Sequence, residues 1–361
     1  MALTERGPIV ALTERGPIVA PTERGPIVAP TERGPIPTLT EHPPIEPVAG
    51  DGPRPFWSVM IPTREPHPGY LAEAVDAVLA QDPGPEEMEI AVVDDASTRI
   101  DPRACLGARA ARRIAWLRRE RHGGMAENWN ACIRRARGRW VHILHQDDLV
   151  RPGFYAALRH GIESAPAVGA AFCRDVVIGE RGEHRYGQRL IQPAAGVVED
   201  WIEHVFVELH LRASALVVRR DVYEALGGFR PDLRYALDWD MWKRVAAAYP
   251  MWYEPRELAC YRRHRGSATP AFVRTGANIA EIRRSIELSE RALPAGIAAA
   301  VARRARRWYT TYAVMTAWRA FAQRDVRGGL AQIREARRLT SSLAVARALC
   351  RIVAGTQPVA R

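Results

Sequence analysis

Among the 52 basic side chains of this 361-residue sequence only one is a lysine, Lys243, and there are only five cysteines: Cys105, Cys132, Cys173, Cys260 and Cys350. The cysteines are odd in number, scattered and never spaced as Cys-x-x-Cys. That excludes a disulfide framework and a zinc site built on paired thiolates, and it fits a reducing cytoplasm. No apolar run reaches roughly 18 residues, and no basic stretch followed by an apolar core opens the chain, so neither a transmembrane helix nor a signal peptide is expected. No Gly-x-Gly-x-x-Gly follows the first apolar segment, which disfavours a Rossmann dinucleotide enzyme, and no Gly-x-x-x-x-Gly-Lys loop is present for an NTPase. The near-absence of lysine marks a coding bias toward arginine, so arginine number alone is no nucleic-acid signature, and no nucleic-acid partner is expected.

What is present is enough to build a core. At 47% hydrophobic residues, the chain can bury an α/β core of roughly 200 residues or more and still carry appendages. The formal net charge of +11 is confined to one end: Gly276 to Arg361 holds 16 Arg against 5 Asp plus Glu, and the remaining basic and acidic residues cancel. The other end is repetitive. Residues 2–36 repeat Ala-Leu-Thr-Glu-Arg-Gly-Pro-Ile-Val and then Ala-Pro-Thr-Glu-Arg-Gly-Pro-Ile with a period of nine, and prolines continue through His42-Pro43-Pro44 to Pro55. No copy has the apolar residues to close a core, so residues 1–54 are expected to form a disordered, extended linker.

From Phe56 the pattern changes to strand and helix in alternation. Phe56 to Thr63 is an apolar strand, and Tyr70 to Gln81 carries Leu71, Ala74, Val75, Val78 and Leu79 at helical spacing before Pro83-Gly84-Pro85. Glu89 to Ser97 is a second strand, Pro102 to Arg112 a short helix, Ile114 to Leu117 a strand, Met125 to Arg137 a helix after Gly123-Gly124, and Trp140 to Leu144 a strand. This alternation predicts an α/β fold with a doubly wound, mostly parallel sheet. Two of the strands end in adjacent carboxylates, Asp94-Asp95 and Asp147-Asp148. A single such pair is equally a solvated turn that caps the next helix. Two pairs at the same edge of one sheet, where open α/β sheets bind ligands, point to a site that holds a hard cation such as Mg²⁺ or Mn²⁺.

The succession Ser-Val-Met-Ile-Pro-Thr, Val-Val-Asp-Asp-Ala-Ser, Asn128 in a helix after Gly-Gly, Leu-His-Gln-Asp-Asp, Gly227-Gly228-Phe229 and Leu237-Asp238-Trp239-Asp240-Met241-Trp242 resembles the family 2 glycosyltransferases of GT-A fold over about residues 56–268. The resemblance implies inverting transfer of a sugar from a nucleotide-sugar donor to a sugar or lipid-linked acceptor, assisted by Mg²⁺ or Mn²⁺, in cell-surface polysaccharide or glycoconjugate synthesis. It implies that Thr63 and Asp95 hold the nucleobase, that Asp147 lies near the donor ribose, that Asp148 is the metal-binding acid of an Asp-x-Asp-like motif and that Asp238 is the general base. The family commonly has Glu before that base, and here the position is Leu237. Asp94 and Asn128 are further candidates. Asp240 is either a second acid at the site or an early-helix charge favoured by the dipole. His264, in a segment resembling the family's closing Tyr-Arg-x-His, either reaches the metal or diphosphate or is a surface imidazole. His210 and Arg212 either line the acceptor side or are structural. Trp242 is expected in the core, with Trp239 open between core and sugar platform.

The domain boundaries expected are 1–54 for the linker, 55–272 for the catalytic domain and 273–361 for a basic helical extension with turns at Pro294-Ala295-Gly296 and Gly328-Gly329. The extension either lies on anionic lipid, giving peripheral contact at the inner face of a membrane, or packs on the catalytic domain as a solvated cap, the reading preferred. Two other functions stay open: a sugar-nucleotide nucleotidyltransferase, for which Pro62-Thr63-Arg64-Glu65 is a poor triphosphate loop, and a non-catalytic binder of anionic polymer or membrane.

Overall fold

The computed structural model describes residues 42–353 apart from 51, 199–200, 209–210 and 294, so the nonapeptide repeat and His210 lie outside the described residues. The chain enters the sheet at β1 (Trp57–Thr63), whose seven residues are all buried. There follow α1 (Pro68–Leu79), β2 (Met88–Asp94), a 3-10 turn at Pro102–Cys105, α2 (Ala108–Arg113), β3 (Ala115–Arg118), α3 (Met125–Arg135) and β4 (Trp140–Ile143), the alternation expected of this half. The second half contributes β5 (Leu149–Val150), α4 (Phe154–Ser164), β6 (Ala170–Ile178), β7 (His184–Gly187), β8 (Gly196–Val197), α5 (Trp201–Val207), β9 (Leu216–Arg219), α6 (Arg220–Leu226), α7 (Leu237–Ala248) and β10 (Met251–Arg262).

These strands form one sheet in the order β3-β2-β1-β4-β9-β6-β10-β5, with β7 on β6 and β8 on β10. The first four are parallel, as is the pair β6 and β10. β9 runs antiparallel to both β4 and β6, and β5, β7 and β8 also pair antiparallel. The fold is thus the α/β one expected, with antiparallel strands joining the parallel ones beyond β4. A tight return such as that between β6 and β7 can make only an antiparallel pair, because parallel neighbours need a long crossover.

Strand periodicity divides the core into two layers. Val59 and Ile61 join Ile90, Val92 and the α1 residues Leu71, Val75 and Val78 on one face. Met60, Ala91 and Val93 meet Trp129, Cys132 and Ile133 of α3 on the other, together with Phe229, Met241 and Trp242. Both faces of β1 and β2 are therefore covered, as a continuous apolar strand requires. The register sets Thr63 beside Asp94 and Met60 beside Ile143, which brings the carboxyl ends of β1, β2 and β4 to one edge.

The chain before β1 is extended and docked against this body. Ile45 is buried in the α3 layer, Pro43 accepts from the Gly228 amide at 2.8 Å, and Glu46 O accepts from Arg220 at 2.9 Å.

After β10 the chain is helical: α8 (Thr269–Thr275), α9 (Ala277–Ala292), α10 (Ala295–Ala322), α11 (Val326–Leu339) and α12 (Ser342–Val353). Gly328 and Gly329, expected to form a turn, lie instead inside the first turn of α11, and the break falls at residues 323–325, where Arg324 adopts φ 62°. Gly329 lets the Phe321 ring lie where a β-carbon would be. The helices share a third core whose centre belongs to α7. Trp239 is wholly buried among Ile279, Ile282, Ala305 and Tyr309, and its indole donates to Val205 O at 2.5 Å. Trp239 and Trp242 are thus both core residues, which removes them as sugar platforms.

Lys243 fastens the same contact. Its ammonium donates to Ser285 O at 2.8 Å and Ser285 Oγ at 2.7 Å and sits 3.9 Å from the Trp239 ring centroid. Burial pushes this amine down to about 7, against the opposing pull of Asp240. The unfolded chain, with the lysine near its ordinary value of about 10.4, binds the extra proton between those limits, so stability rises with pH across that window. The urea midpoint of the wild type is expected to increase between about pH 7 and about pH 9, and Lys243→Met should lose that increase. Parallel pH profiles for the two proteins would show that Lys243 is not the titrating group.

Candidate active site

At the end of β2 the two adjacent acids take different partners. Asp94 accepts from the Ser97 hydroxyl at 2.5 Å and from Arg118 at 2.7 Å, closing its own turn. Asp95 reaches across to the segment before α3, accepting from Arg119 at 2.5 Å, from His122 Nδ1 at 2.6 Å and from the amides of Gly123 and Gly124 at 3.0 Å each. Burial pushes the Asp95 carboxyl up, but these amide, imidazole and guanidinium contacts together hold it below its usual range. Gly124 has φ 85°, a conformation glycine adopts without strain, which explains the Gly-Gly pair ahead of the helix. Asn128 donates to Val93 O at 3.1 Å, tying α3 to β2, and its side-chain oxygen is buried without a partner. Thr63 donates to Gln146 at 2.5 Å, joining the ends of β1 and β4. Glu65 and Ala96, beyond the ends of β1 and β2, both have positive φ (43° and 56°), backbone strain of the sort that clusters at binding sites.

At the end of β4, His145, Asp147 and Asp148 place one ligand atom each within 4.8 Å of one another. Asp148 is fully buried; its Oδ1 accepts from the Arg262 amide at 2.9 Å, while Oδ2 lies 3.4 Å from His145 Nδ1 and makes no hydrogen bond. His145 Nε2 is likewise buried and unpartnered. Burial pushes the His145 imidazole down, yet Asp148, Asp147 and Asp238 outweigh it and raise the net value. Asp147 is half-exposed and pairs with His264 Nε2 at 2.8 Å. That contact, and the edge of the Tyr70 ring at 5.1 Å, make His264 a wall of the site and not a surface imidazole. The Asp147 carboxylate raises the His264 imidazole above its usual value. Two buried polar atoms without partners among two carboxylates and an imidazole suit Mg²⁺ or Mn²⁺. His145 stands inside the quoted Leu-His-Gln-Asp-Asp motif, where the sequence alone did not single it out.

Arg262 holds the acid turn in place. Beyond its amide, Nε donates to Asp147 O at 3.0 Å, and the terminal nitrogens reach Gly179 O at 3.4 Å and Glu73 at 2.5 Å. Its guanidinium stacks 4.4 Å from the Tyr70 ring. Arg212, beside the site, pairs with buried Asp175 and lies 4.4 Å over the Tyr261 ring.

Asp238 begins α7, half-buried, its Oδ1 accepting from the Trp239 amide at 2.7 Å. Burial pushes its carboxyl up to about 6, more than the Trp239 amide and the His145 and Arg212 cations pull it down. The loop before it is held from the tail. Glu281 of α9 accepts from the amides of Arg234, Tyr235 and Ala236 at 2.7, 2.6 and 3.2 Å, a contact with no sequence signature.

Asp240 points elsewhere. It is 5% exposed and forms an ion pair at 3.1 Å with Arg244, which is itself buried and donates to Leu226 O and Gly228 O at 2.8 Å each. Asp240 is thus neither a second site acid nor a simple dipole charge; it is half of a buried pair that fixes the Gly227-Gly228-Phe229 turn. Asn130 holds the same turn from α3, bonded to the Phe229 amide at 2.7 Å and its carbonyl at 2.9 Å.

A mixed sheet whose parallel half ends in two acid-bearing turns, with a carboxylate facing them from a following helix, is a GT-A architecture. Residues 58–227 match the family model described as glycosyl transferase family 2, and this segment of the chain is a member of that family. It is similar to an uncharacterized protein of Mycobacterium tuberculosis, 30% identical over 220 residues, which cover 55% of this chain and 65% of that one. It also resembles the succinoglycan biosynthesis protein ExoO of Rhizobium meliloti, 37% identical over 105 residues, 29% of this chain and 28% of ExoO. The chain thus spans less than two thirds of the length of these relatives. Among solved structures, residues 1–349 of TarS of S. aureus in complex with UDP-GlcNAc superpose with a TM-score of 0.55 at 15% identity, covering 83% of this chain and 92% of that fragment. The mannosyltransferase PcManGT of Pyrobaculum calidifontis with GDP-Man and Mn²⁺ gives 0.53 at 18% identity, covering 90% and 83%. At these identities the two share the fold with this chain.

The Asp240 and Arg244 pair yields a test. Asp240→Asn should leave Arg244 buried without its counter-charge and cost about 3–5 kcal/mol of stability. The thermal midpoint is expected to fall by many degrees while nucleotide binding, measured well below that midpoint, persists. Unchanged thermal stability would mean that the pair does not hold the turn.

Proposed function

We propose that this chain transfers a sugar, with inversion, from a nucleotide-sugar donor to a sugar or lipid-linked acceptor hydroxyl, in the synthesis of a cell-surface polysaccharide or glycoconjugate. The observation that carries the reading is the group of His145, Asp147 and Asp148 with its two buried, unpartnered polar atoms. A divalent cation held there would supply electrostatic stabilisation to the charge developing on the leaving diphosphate. Asp148 is the principal ligand, with Asp147 and His145 beside it. Thr63 and Asp95 line the nucleobase end, Asp95 acting mainly by fixing the Gly123-Gly124 segment through its four contacts. Asp147 borders the ribose.

On the acceptor side, Asp238 takes the proton of the attacking hydroxyl, which is a weak nucleophile until a carboxylate accepts that proton. A carboxyl raised to about 6 is a stronger base than an ordinary aspartate and is still ionised at neutral pH. The Leu237 neighbour is buried core, so the base's hydrogen-bond partner is the Trp239 amide. The nucleotidyltransferase alternative has less support, because the amides it would offer a triphosphate are committed: Arg64 N donates to Gln146 at 2.9 Å and Glu65 N to Ser97 Oγ at 2.8 Å.

Calorimetry with UDP, GDP, dTDP and CDP should find one nucleoside diphosphate whose binding requires Mn²⁺ or Mg²⁺ and is abolished by a chelator, since Asp147 and Asp148 otherwise face a phosphate of like charge. Asp148→Ala should lose the metal-dependent part and keep its fold. Normal metal-dependent binding by that variant would displace the cation site from Asp148. Asp238→Asn should slow turnover by roughly 10²–10⁴-fold with donor affinity kept. Wild-type turnover should fall as pH drops through about 6, because the protonated carboxyl cannot accept the acceptor's proton. A flat pH profile in that range would remove Asp238 from the role.

A further inference from the structure

Eight large hydrophobic side chains are exposed among the described residues, and four of them fall within 13 positions: Trp318 (49%), Phe321 (36%), Val326 (57%) and Leu330 (59%). They are also adjacent in space. Trp318 and Phe321 are one turn apart at the end of α10, Val326 and Leu330 one turn apart at the start of α11, and the Phe321 ring lies against Gly329, next to Leu330. The elbow that joins them is compact. Asp325 N donates to Ala320 O at 2.8 Å, and the Asp325 carboxylate caps the Gly328 amide at 2.9 Å. An apolar cluster on so well-ordered an elbow is more than a scatter of single surface residues.

Its rim has one sign of charge. Between Trp318 and Leu343 there are six arginines and two acids, a balance of +4. Arg334 and Arg338 turn to buried Glu335, and Asp325 is used in the cap. Arg319, Arg324, Arg327 and Arg337 form no ion pair among the described residues, and all four are exposed. Exposed aromatic and aliphatic tips ringed by unpaired arginine match an interface where hydrocarbon begins below a layer of negative headgroups. A protein partner would need acids spaced to meet all four arginines around a core, whereas an anionic lipid surface meets them in any register.

We infer that the α10–α11 elbow docks on an anionic phospholipid bilayer, with Trp318, Phe321, Val326 and Leu330 entering the interface and Arg319, Arg324, Arg327 and Arg337 on the phosphates. The surface lies on the helix that carries Tyr309, the neighbour of Trp239 at 5.2 Å, and Trp318 is nine residues, or about 14 Å, further along it. Docking there brings the helices around α7 close to the membrane, where a lipid-linked acceptor would be presented; that consequence rests on the glycosyltransferase reading, while the docking itself does not.

The test is flotation of the full chain with vesicles of phosphatidylcholine alone and of phosphatidylcholine mixed with phosphatidylglycerol, beside Mn²⁺-dependent nucleotide calorimetry on the same samples. The wild type should float with the anionic vesicles and remain behind with the neutral ones, and added salt should release it. The triple change Arg319→Gln, Arg324→Gln, Arg327→Gln should weaken binding roughly 100-fold, about five-fold for each arginine. Trp318→Ser with Leu330→Ser should weaken it about ten-fold or more, and both variants should keep nucleotide binding and their circular dichroism. Failure of the wild type to float, or flotation of the variants equal to it, overturns the inference. So does a wild-type dimer that the Trp318→Ser, Leu330→Ser variant converts to monomer without any vesicle binding, since the patch would then meet a second copy. A chain that floats yet binds no nucleoside diphosphate keeps the docking surface and removes the glycosyltransferase reading.

Discussion

The structure depends on holding two adjacent acidic side chains at one turn, in a place where one of them has no contact with water. Asp148 is fully buried one residue from Asp147, and like charges this close are tolerated only where opposite charge and donated hydrogen bonds surround them. The imidazoles of His145 and His264 lie against the two carboxylates themselves, while Arg262 supplies hydrogen bonds, through its amide to Asp148 and its guanidinium to the Asp147 carbonyl. The same side chain reaches α1 and the β6–β7 return, so one residue at the end of β10 registers three elements against the acid turn. Arginine suits this post because its fixed fork supplies several donors at once and stays charged when buried. A compact ammonium in its place would have all its donors on one atom and could not span acceptors on separate elements.

A second arrangement of the same kind supports the opposite wall. Glu281, Lys243 and Trp239 bind α7 to the helices that follow β10, from its leading loop, its polar face and its apolar face in turn. Asp238 sits at the start of that helix, so the carboxylate best placed to act on an acceptor owes its position to residues outside the sheet. The arginine-rich tail therefore has two parts. One part is an inner surface that shapes the site. The other is the exposed elbow, where the unpaired charge is concentrated.

Much of this was legible in the residues. Alternating apolar strands and periodic helices marked the first four strands within a residue or two at most ends, because both faces of β1 and β2 are buried and give unbroken apolar runs. The acid pairs were legible because two of them fall at one edge of one sheet, where a single pair would equally be a turn that caps the next helix. The later strands were less so, since β5, β7 and β8 are short edge pieces whose pairing is decided by tertiary contact, and nothing local distinguishes them from loop. Trp239 and Asp240 were ambiguous because one helix turn carries residues that face the site, the sheet and the tail, and spacing alone does not say which packs where. Gly328-Gly329 misled for a related reason. Glycine marks turns, but here it marks a close helix crossing against Phe321.

The family match ends at Gly227, in the middle of the turn that Arg244 and Asn130 hold from either side. The segment that the family model matches thus ends inside an interlocked part of the structure. A fragment cut at that border would keep Asn130 and lose the Phe229 amide and carbonyl that satisfy it, and it would keep α6 and lose the arginine that accounts for its last carbonyls. It would also stop short of Asp238. A chimera joined at Gly227 would therefore divide a helix cap from its helix.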